Sequence, residues 1–482
     1  MNSNEQSQAD ACSITAIQRI DEPSRQRRDR MEVVIMSTHT QHKRAFHRAW
    51  PVLGLVLAMV TPLPLTAAFD ICGCEGHPDS LGDFDNRTDP ATWPAGITRD
   101  GCQDIRIALP PDGVVIFDSF YVEDNNTVCD QIQHIFFTKN ANNTPVMMLV
   151  AGNVSLVPGS SGTNVELIVS GSPGSNGSPT KAGIGGAPGN GGFRGGDGAS
   201  LDLLAANTGG PGLGPGGGEP GAGTVTGGDA RYKGRPELRP LIGASGGGGG
   251  GSAASGNCSG GGGGGGGGSI IIAANGTLHL GSTNVYIRAN GGNRGGSTNG
   301  ACASSGGLGA GGAIRLMSDT FSGSGWVTAL RGDGGNVNAL NGGGIIRIET
   351  ITDVHTRSDL IQPAGLRTSS IGPVVNPVAS TIAITAVDGT PTPTILTGSI
   401  GGIDMIVPAP GLITFQIETA GVPSGTTVDV AAKPKFGGVA FTDNVNLEPG
   451  SCNTAGECTV FSTIDLPSNA YFVESTATFQ TP

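Results

Sequence analysis

The chain has 482 residues, of which 84 are glycine, 37% apolar and only 14% charged, and its formal net charge is −12. Glycine at this density excludes an ordinary packed helical domain, and the acidic balance excludes a nucleic acid or an anionic membrane as a partner held by charge. The length is sufficient to bury more than one core.

Residues 1–35 are polar and read as an upstream extension, with Met36 the better start for the segment that follows. In residues 36–68, Lys43, Arg44, His47 and Arg48 precede the apolar run Trp50 to Val60, and Thr66, Ala67 and Ala68 supply small residues suited to cleavage. This is the pattern of a secretory signal peptide. The run is shorter than the roughly 20 residues a membrane span needs, and Pro62 and Pro64 interrupt it. Cleavage there predicts a mature chain with 19 Lys+Arg against 33 Asp+Glu, no membrane anchor, and a secreted or cell-surface location. Cys12 lies upstream, and the other eight cysteines form an even set, as expected in an oxidising compartment.

Residues 69–144 form a cysteine-rich N-terminal cap. Here "DSLGDFDNRTD" clusters Asp79, Asp83, Asp85 and Asp89 as a calcium loop would. The bidentate Glu and the glycine spacing of an EF-hand are missing, so a solvated acidic loop is the competing reading. Calcium is the only cofactor suggested. Cys72-Gly73-Cys74 suggests a metal or redox pair, but export and an even cysteine count favour two structural disulfides with Cys102 and Cys129.

Residues 145–350 carry the unusual composition: 61 of the glycines lie between Gly171 and Gly344. From Gly171 to Gly198 every third residue is glycine except Thr180. A three-residue period matches a left-handed extended helix with one ridge made only of glycine. Collagen would need the period sustained beyond Gly198, and a flexible linker gives no reason for it. Packed polyglycine II strands account for both the period and the pure runs Gly246 to Gly251 and Gly260 to Gly268. "GGSIII", "GGAIRL" and "GGIIRI" repeat one phrase, and "RANGGN" returns as "RGDGGN" after 43 residues. Three short strands and a glycine corner per repeat predict coils of a parallel β-helix, with the glycine runs as excursions that leave and re-enter its wall. Cys258 and Cys302 fall in successive excursions, where a disulfide would clip them together. Residues 351–376 read as a linker, and the alternating segments "TIAITAV", "LITFQIETA" and "TTVDVAAKP" in residues 377–482 predict an immunoglobulin-like β-sandwich. Cys452 and Cys458 there close a local loop.

The phrases "VMMLVAGNVSLV", "GGFRGGDG", "PLIGASGGGGG", "GGAIRLMS" and "GGIIRIET" resemble those of exported bacterial Gly-rich repeat proteins, sometimes likened to mycobacterial PGRS proteins. The resemblance spans roughly residues 84 to 350 and implies surface or extracellular placement, with no catalytic residues to carry over.

Other chemical candidates are weak. Arg331-Gly332-Asp333 spells an integrin tripeptide, but Asp333 holds the corner taken by Asn290 one repeat earlier. His77, His134, His279 and His355 have no ligand spacing, and no nucleophile or zinc motif is present. Asp319, Asp333 and Asp353 are the only candidates for a sugar-cleaving carboxylate pair. The expectation is therefore a non-catalytic structural or adhesive protein, whose partners are surface glycans, matrix or like proteins. A carbohydrate-binding or carbohydrate-cleaving β-helix is the alternative.

Overall fold

A computed structural model describes residues 19–20, 70–101, 104–124, 133–159, 163–200, 208–252, 259–297, 304–334, 342–374, 381–391, 404–420, 422, 425–435, 440–453 and 457–479. Among them there is no α-helix, only strands and three short 3₁₀ turns at Pro90–Thr92, Ser358–Leu360 and Pro449–Ser451. Among the described residues no helix is long and apolar enough to cross a membrane.

Two parallel sheets enclose the main core. In the nine-stranded sheet, Val146–Val150 lies between Val114–Phe117 and the first half of Ser269–Leu280, which is followed by Ala313–Gly323 and then Ile345–His355. The second half of Ser269–Leu280 pairs with Val154–Val157, which pairs in turn with Ser119–Glu123. The seven-stranded sheet runs from Ile97–Asp100 through Asp104–Ala108, Gln133–Thr138, Val165–Ile168, Val285–Arg288 and Trp326–Thr328 to Ile361–Gln362. The repeated phrases stack in register: Val146, Ile270, Ile314 and Ile346 form one column, and Met148, Ile272, Leu316 and Ile348 the next. These residues are buried in one continuous cluster from Phe84 to Ile361. Each such side chain contributes about 1.5–3 kcal/mol by leaving water.

Two expected boundaries are corrected. The 69–144 segment is not a separate cap: Phe84, Phe117 and Phe120 belong to the same core, with Phe84 stacked on Phe120 at 5.0 Å and edge-on to Trp93 at 5.1 Å. Only the antiparallel pair Ile97–Asp100 with Asp104–Ala108 departs from the parallel order, and it forms the sheet's N-terminal edge. Nor is 351–376 a linker, because Ile345–His355 crosses its start, and Ile361–Gln362 and Leu366–Thr368 add to the two sheets. Ile361 is drawn in by the same aliphatic core.

The glycine runs are packed. Gly260 to Gly268 are all buried, and their N–H groups repeat every three residues. Gly260, Gly263 and Gly266 donate to Ala199, Gly196 and Phe193; Gly261, Gly264 and Gly267 donate to Ser304, Gly307 and Ala310; Gly262, Gly265 and Gly268 donate to Ser175, Ser172 and Val169. Their carbonyls accept in the same rhythm from Gly183, Gly186 and Gly189, from Gly250, Gly247 and Ala244, and from Gly295 and Gly292. One strand is thus bonded to six neighbours. Gly246 to Gly251 repeat the pattern, donating by turns to residues in 210–213, 261–264 and 225–228. A Cβ at Gly264 would overlap the carbonyl of Gly292, and one at Gly266 the carbonyl of Ala244. Glycine is the residue whose backbone others can approach this closely, and the dense hydrogen bonding offsets its large ordering entropy. The run leads directly into strand Ser269–Leu280, so bundle and wall are continuous.

Residues 381–479 form two antiparallel sheets. Thr381–Val387, Gly411–Ala420 and Glu457–Leu466 lie in one; Thr427–Pro434, Phe441–Asn446 and Asn469–Phe479 lie in the other. Glu457–Leu466 alternates exposed and buried residues throughout, and its inner face joins Phe415, Val430 and Val473 in a separate core. Phe472 packs with Phe193 and Leu213 of the glycine bundle, and Lys435 Nζ lies 3.7 Å from Asp197 Oδ2.

Candidate functional site

The four aspartates of the acidic stretch do not converge. Asp79 faces His77 at 3.9 Å, Asp83 accepts from Ser119 Oγ at 2.5 Å, and Asp89 accepts from Ala91 N at 3.0 Å to begin a 3₁₀ turn. Asp85 is gripped by Arg87 at 2.6 Å, and those hydrogen bonds hold its carboxyl below the usual range. Each carboxylate has a separate local partner, so the structure does not gather the ligand set that calcium would need.

Among the described residues one group brings together three side chains of metal-ligand type: Asp70, Cys72 and Cys74. Cys72 and Cys74 are paired with each other across Gly73, while Cys102, Cys129, Cys258 and Cys302 lie outside the described residues. The cause is a tight turn. Asp70 Oδ1 accepts from Gly73 N at 2.9 Å, Cys74 N at 3.3 Å and Asn275 Nδ2 at 2.7 Å, while Asn275 Oδ1 accepts from Ile71 N at 2.7 Å. Burial opposes ionisation of Asp70, but the hydrogen bonds from Asn275, Cys74, Gly73 and Glu75 outweigh it and lower its pKa. Through the hydrogen bonds of Asp70 and Asn275 the turn fastens this segment to the wall. Cys452 pairs with Cys458 as expected, with an S–S distance of 2.08 Å.

The largest buried charge group is also structural. Arg315 and Glu349 have fully buried side chains, joined at 2.9 and 3.0 Å; Arg347 Nε adds 2.6 Å and Gly372 N 2.6 Å to the same carboxylate. Arg315 Nη1 donates to the carbonyls of Pro373 and Val374. Burial pushes Glu349 towards its neutral form, but hydrogen bonds from Arg315, Arg347 and Gly372 prevail and depress its pKa. These bonds clamp residues 372–374 over the wall.

The carboxylates considered for sugar cleavage are dispersed. Asp333 is held by Arg331 at 2.6 Å, Asp353 pairs with Arg367, and Asp319 accepts from Thr320 Oγ1 at 3.2 Å. Arg331 also reaches Asp229 at 3.2 Å, which ties the Arg-Gly-Asp corner to the bundle.

The most developed side-chain surface is the outer face of the seven-stranded sheet. Alternation sends Ile105, Ile135, Leu167, Ile287 and Val327 into the core, leaving two outward columns. Asp104, His134, Glu166, Tyr286 and Trp326 are in register in one, and Arg106, Phe136, Ile168, Arg288 and Thr328 in the other. His134 Nδ1 lies 3.1 Å from Asp104 Oδ1, and Arg288 Nη2 donates to Glu166 Oε1 at 2.9 Å. The Arg288 guanidinium sits 4.2 Å over the Tyr286 ring, and Tyr286 stacks on Trp326 at 6.2 Å and 11°. Phe136 lies 5.5 Å from both the Arg106 guanidinium and the His134 ring. The members of this face span five strands from Asp104 to Trp326 and are not contiguous in the sequence. The available signal was the aromatic and charged residues alternating with aliphatic ones in "QHIFF", "VELIV" and "NVYIRA".

Comparison with protein-family models, with curated proteins and with solved structures finds no match to this chain. Chemically, the face offers fixed planar hydrogen-bonding groups beside aromatic rings, an arrangement suited to binding.

Proposed function

We propose that this protein is an exported, non-catalytic structural or adhesive component of a cell surface or extracellular matrix. In this reading it is a parallel β-helix that continues into a polyglycine II bundle and carries an immunoglobulin-like β-sandwich. The observation that carries the proposal is the strand Gly260 to Gly268, bonded through its backbone to six neighbouring segments. So much sequence committed to a side-chain-free, hydrogen-bonded slab favours a mechanical role over a chemical one. The Cys72–Cys74 and Cys452–Cys458 disulfides accord with an oxidising compartment, as does the leader-like segment before Phe69. The resemblance to exported bacterial Gly-rich repeat proteins points to the same address.

Fractionation of producing cells, with N-terminal sequencing of the isolated protein, tests the reading. The expected result is a chain that begins near Phe69 and is recovered from the surface or medium. A cytoplasmic chain retaining Trp50 to Val60 overturns it. The alternative of a carbohydrate-binding protein draws support from the outward columns of the seven-stranded sheet.

A further inference from the structure

We propose that the outer face of the seven-stranded sheet binds a neutral polysaccharide lying along the stacking direction of the strands. The proposal rests on the surface-adhesive reading above and supplies its ligand. Three features of the face lead to it.

The polar groups are already oriented. The half-buried Arg288 is fixed by Glu166, which is buried beneath it, and His134 by Asp104, so hydroxyl groups would meet partners that lose little freedom on binding. These planar groups share the face with the rings of Phe136, Tyr286 and Trp326, and Trp326, at the end of the stack that Arg288 and Tyr286 begin, offers an apolar surface suited to the C–H faces of sugars. Charge selects a neutral ligand. The cations are matched locally, Arg106 with Asp100 and Asp104 and Arg288 with Glu166, leaving no positive surplus for a polyanion. Dimensions select a polymer. Adjacent strands stand about 4.8 Å apart, close to the length of one pyranose in an extended chain, so successive sugars meet successive strands. The surface is an open sheet face, whereas small ligands favour enclosed pockets. Trp326 ends its column, since pairing with Ile361–Gln362 begins only at Val327.

The test uses the secreted full-length protein on insoluble cellulose, chitin and mannan, and on the polyanions alginate and pectate. Retention is expected on at least one neutral polymer. Trp326→Ala should lower the affinity about tenfold or more, while Phe461→Ala, which removes an exposed ring on the C-terminal unit, should leave it unchanged. A second measurement does not depend on how a variant folds. With Trp50 in the leader and Trp93 buried, emission of the native protein should shift on adding soluble oligosaccharides of the retained polymer, because Trp326 is the partly exposed tryptophan. Retention on no neutral polymer, retention on polyanions alone, self-association through this face, or binding indifferent to Trp326→Ala with unmoved emission overturns the proposal. A cytoplasmic protein that nevertheless binds a neutral glycan would overturn the surface reading and leave this site standing.

Discussion

At the residue scale, the bundle depends on the absence of a single atom. At Gly264 a Cβ would meet the Gly292 carbonyl, a backbone group held by its own hydrogen bonds that cannot rotate aside. Gly264→Ala is therefore expected to destabilise by about 1–3 kcal/mol or more, as overpacked interiors do. Gly450→Ala, where nothing lies within 4 Å, should be neutral or stabilise by up to about 1 kcal/mol through the unfolded chain. Thermal melting of the two variants checks this, and equal behaviour would mean that the run is not packed. The Arg315–Glu349 pair gives a second residue-scale expectation. The folded pKa of Glu349 is depressed, so its contribution is present above the unfolded value, about 4.3, and is lost as pH falls through the folded value. Acid should weaken the native chain across that window, and Glu349→Gln should flatten this part of the profile. The same variant should cost about 3–5 kcal/mol near neutral pH by leaving Arg315 buried without its counter-charge, as read by denaturant unfolding at several pH values.

At the scale of elements, Ile345–His355 ends differently from the long strands before it in the nine-stranded sheet. Val154, Leu278 and Phe321 form an interior column, but the next position is Asp353, paired with Arg367, while His355 stacks on Phe321 at 4.7 Å and 3°. A charged, exposed residue in register with that interior column, on a strand edge where Ile351 and Val354 are also exposed, blocks further stacking. Asp353→Leu removes that block. It should convert part of the monomer into end-associated species in size-exclusion chromatography, with a monomer–dimer equilibrium at micromolar concentration. An elution position unchanged at all concentrations would show that the end is protected by other means.

At the scale of the whole molecule, wall and bundle are one body, because Gly260 to Gly268 run straight into Ser269–Leu280, and Asn190 and Asn143 side chains cross-link the two at 3.2 and 2.8 Å. The C-terminal sheets have their own core and meet the bundle through Phe472, Phe193, Leu213 and the Lys435–Asp197 pair. Calorimetry should resolve two transitions, since cooperativity follows shared buried surface. Phe472→Ala should lower the smaller transition by a few degrees and leave the larger unchanged. A single transition moved by that variant would show that the two cores unfold together.

The three-residue glycine period, the threefold recurrence of the "GGSIII" phrase and the alternation after residue 377 made the all-β character, the stacking repeat and the packed glycine runs legible in the chain itself. Those features are local: a period, a phrase and an alternation each state which face of a segment must be buried or approached. The partner of Cys72, the inclusion of residues 69–144 and 351–374 in the parallel sheets, and the outward columns from Asp104 to Trp326 were decided only by the tertiary structure. Each depends on which distant strand comes to lie alongside which. That register is set by aliphatic residues packing between strands 124 residues apart, as where Val146 meets Ile270, and such long-range pairing leaves no mark in the spacing of either segment alone.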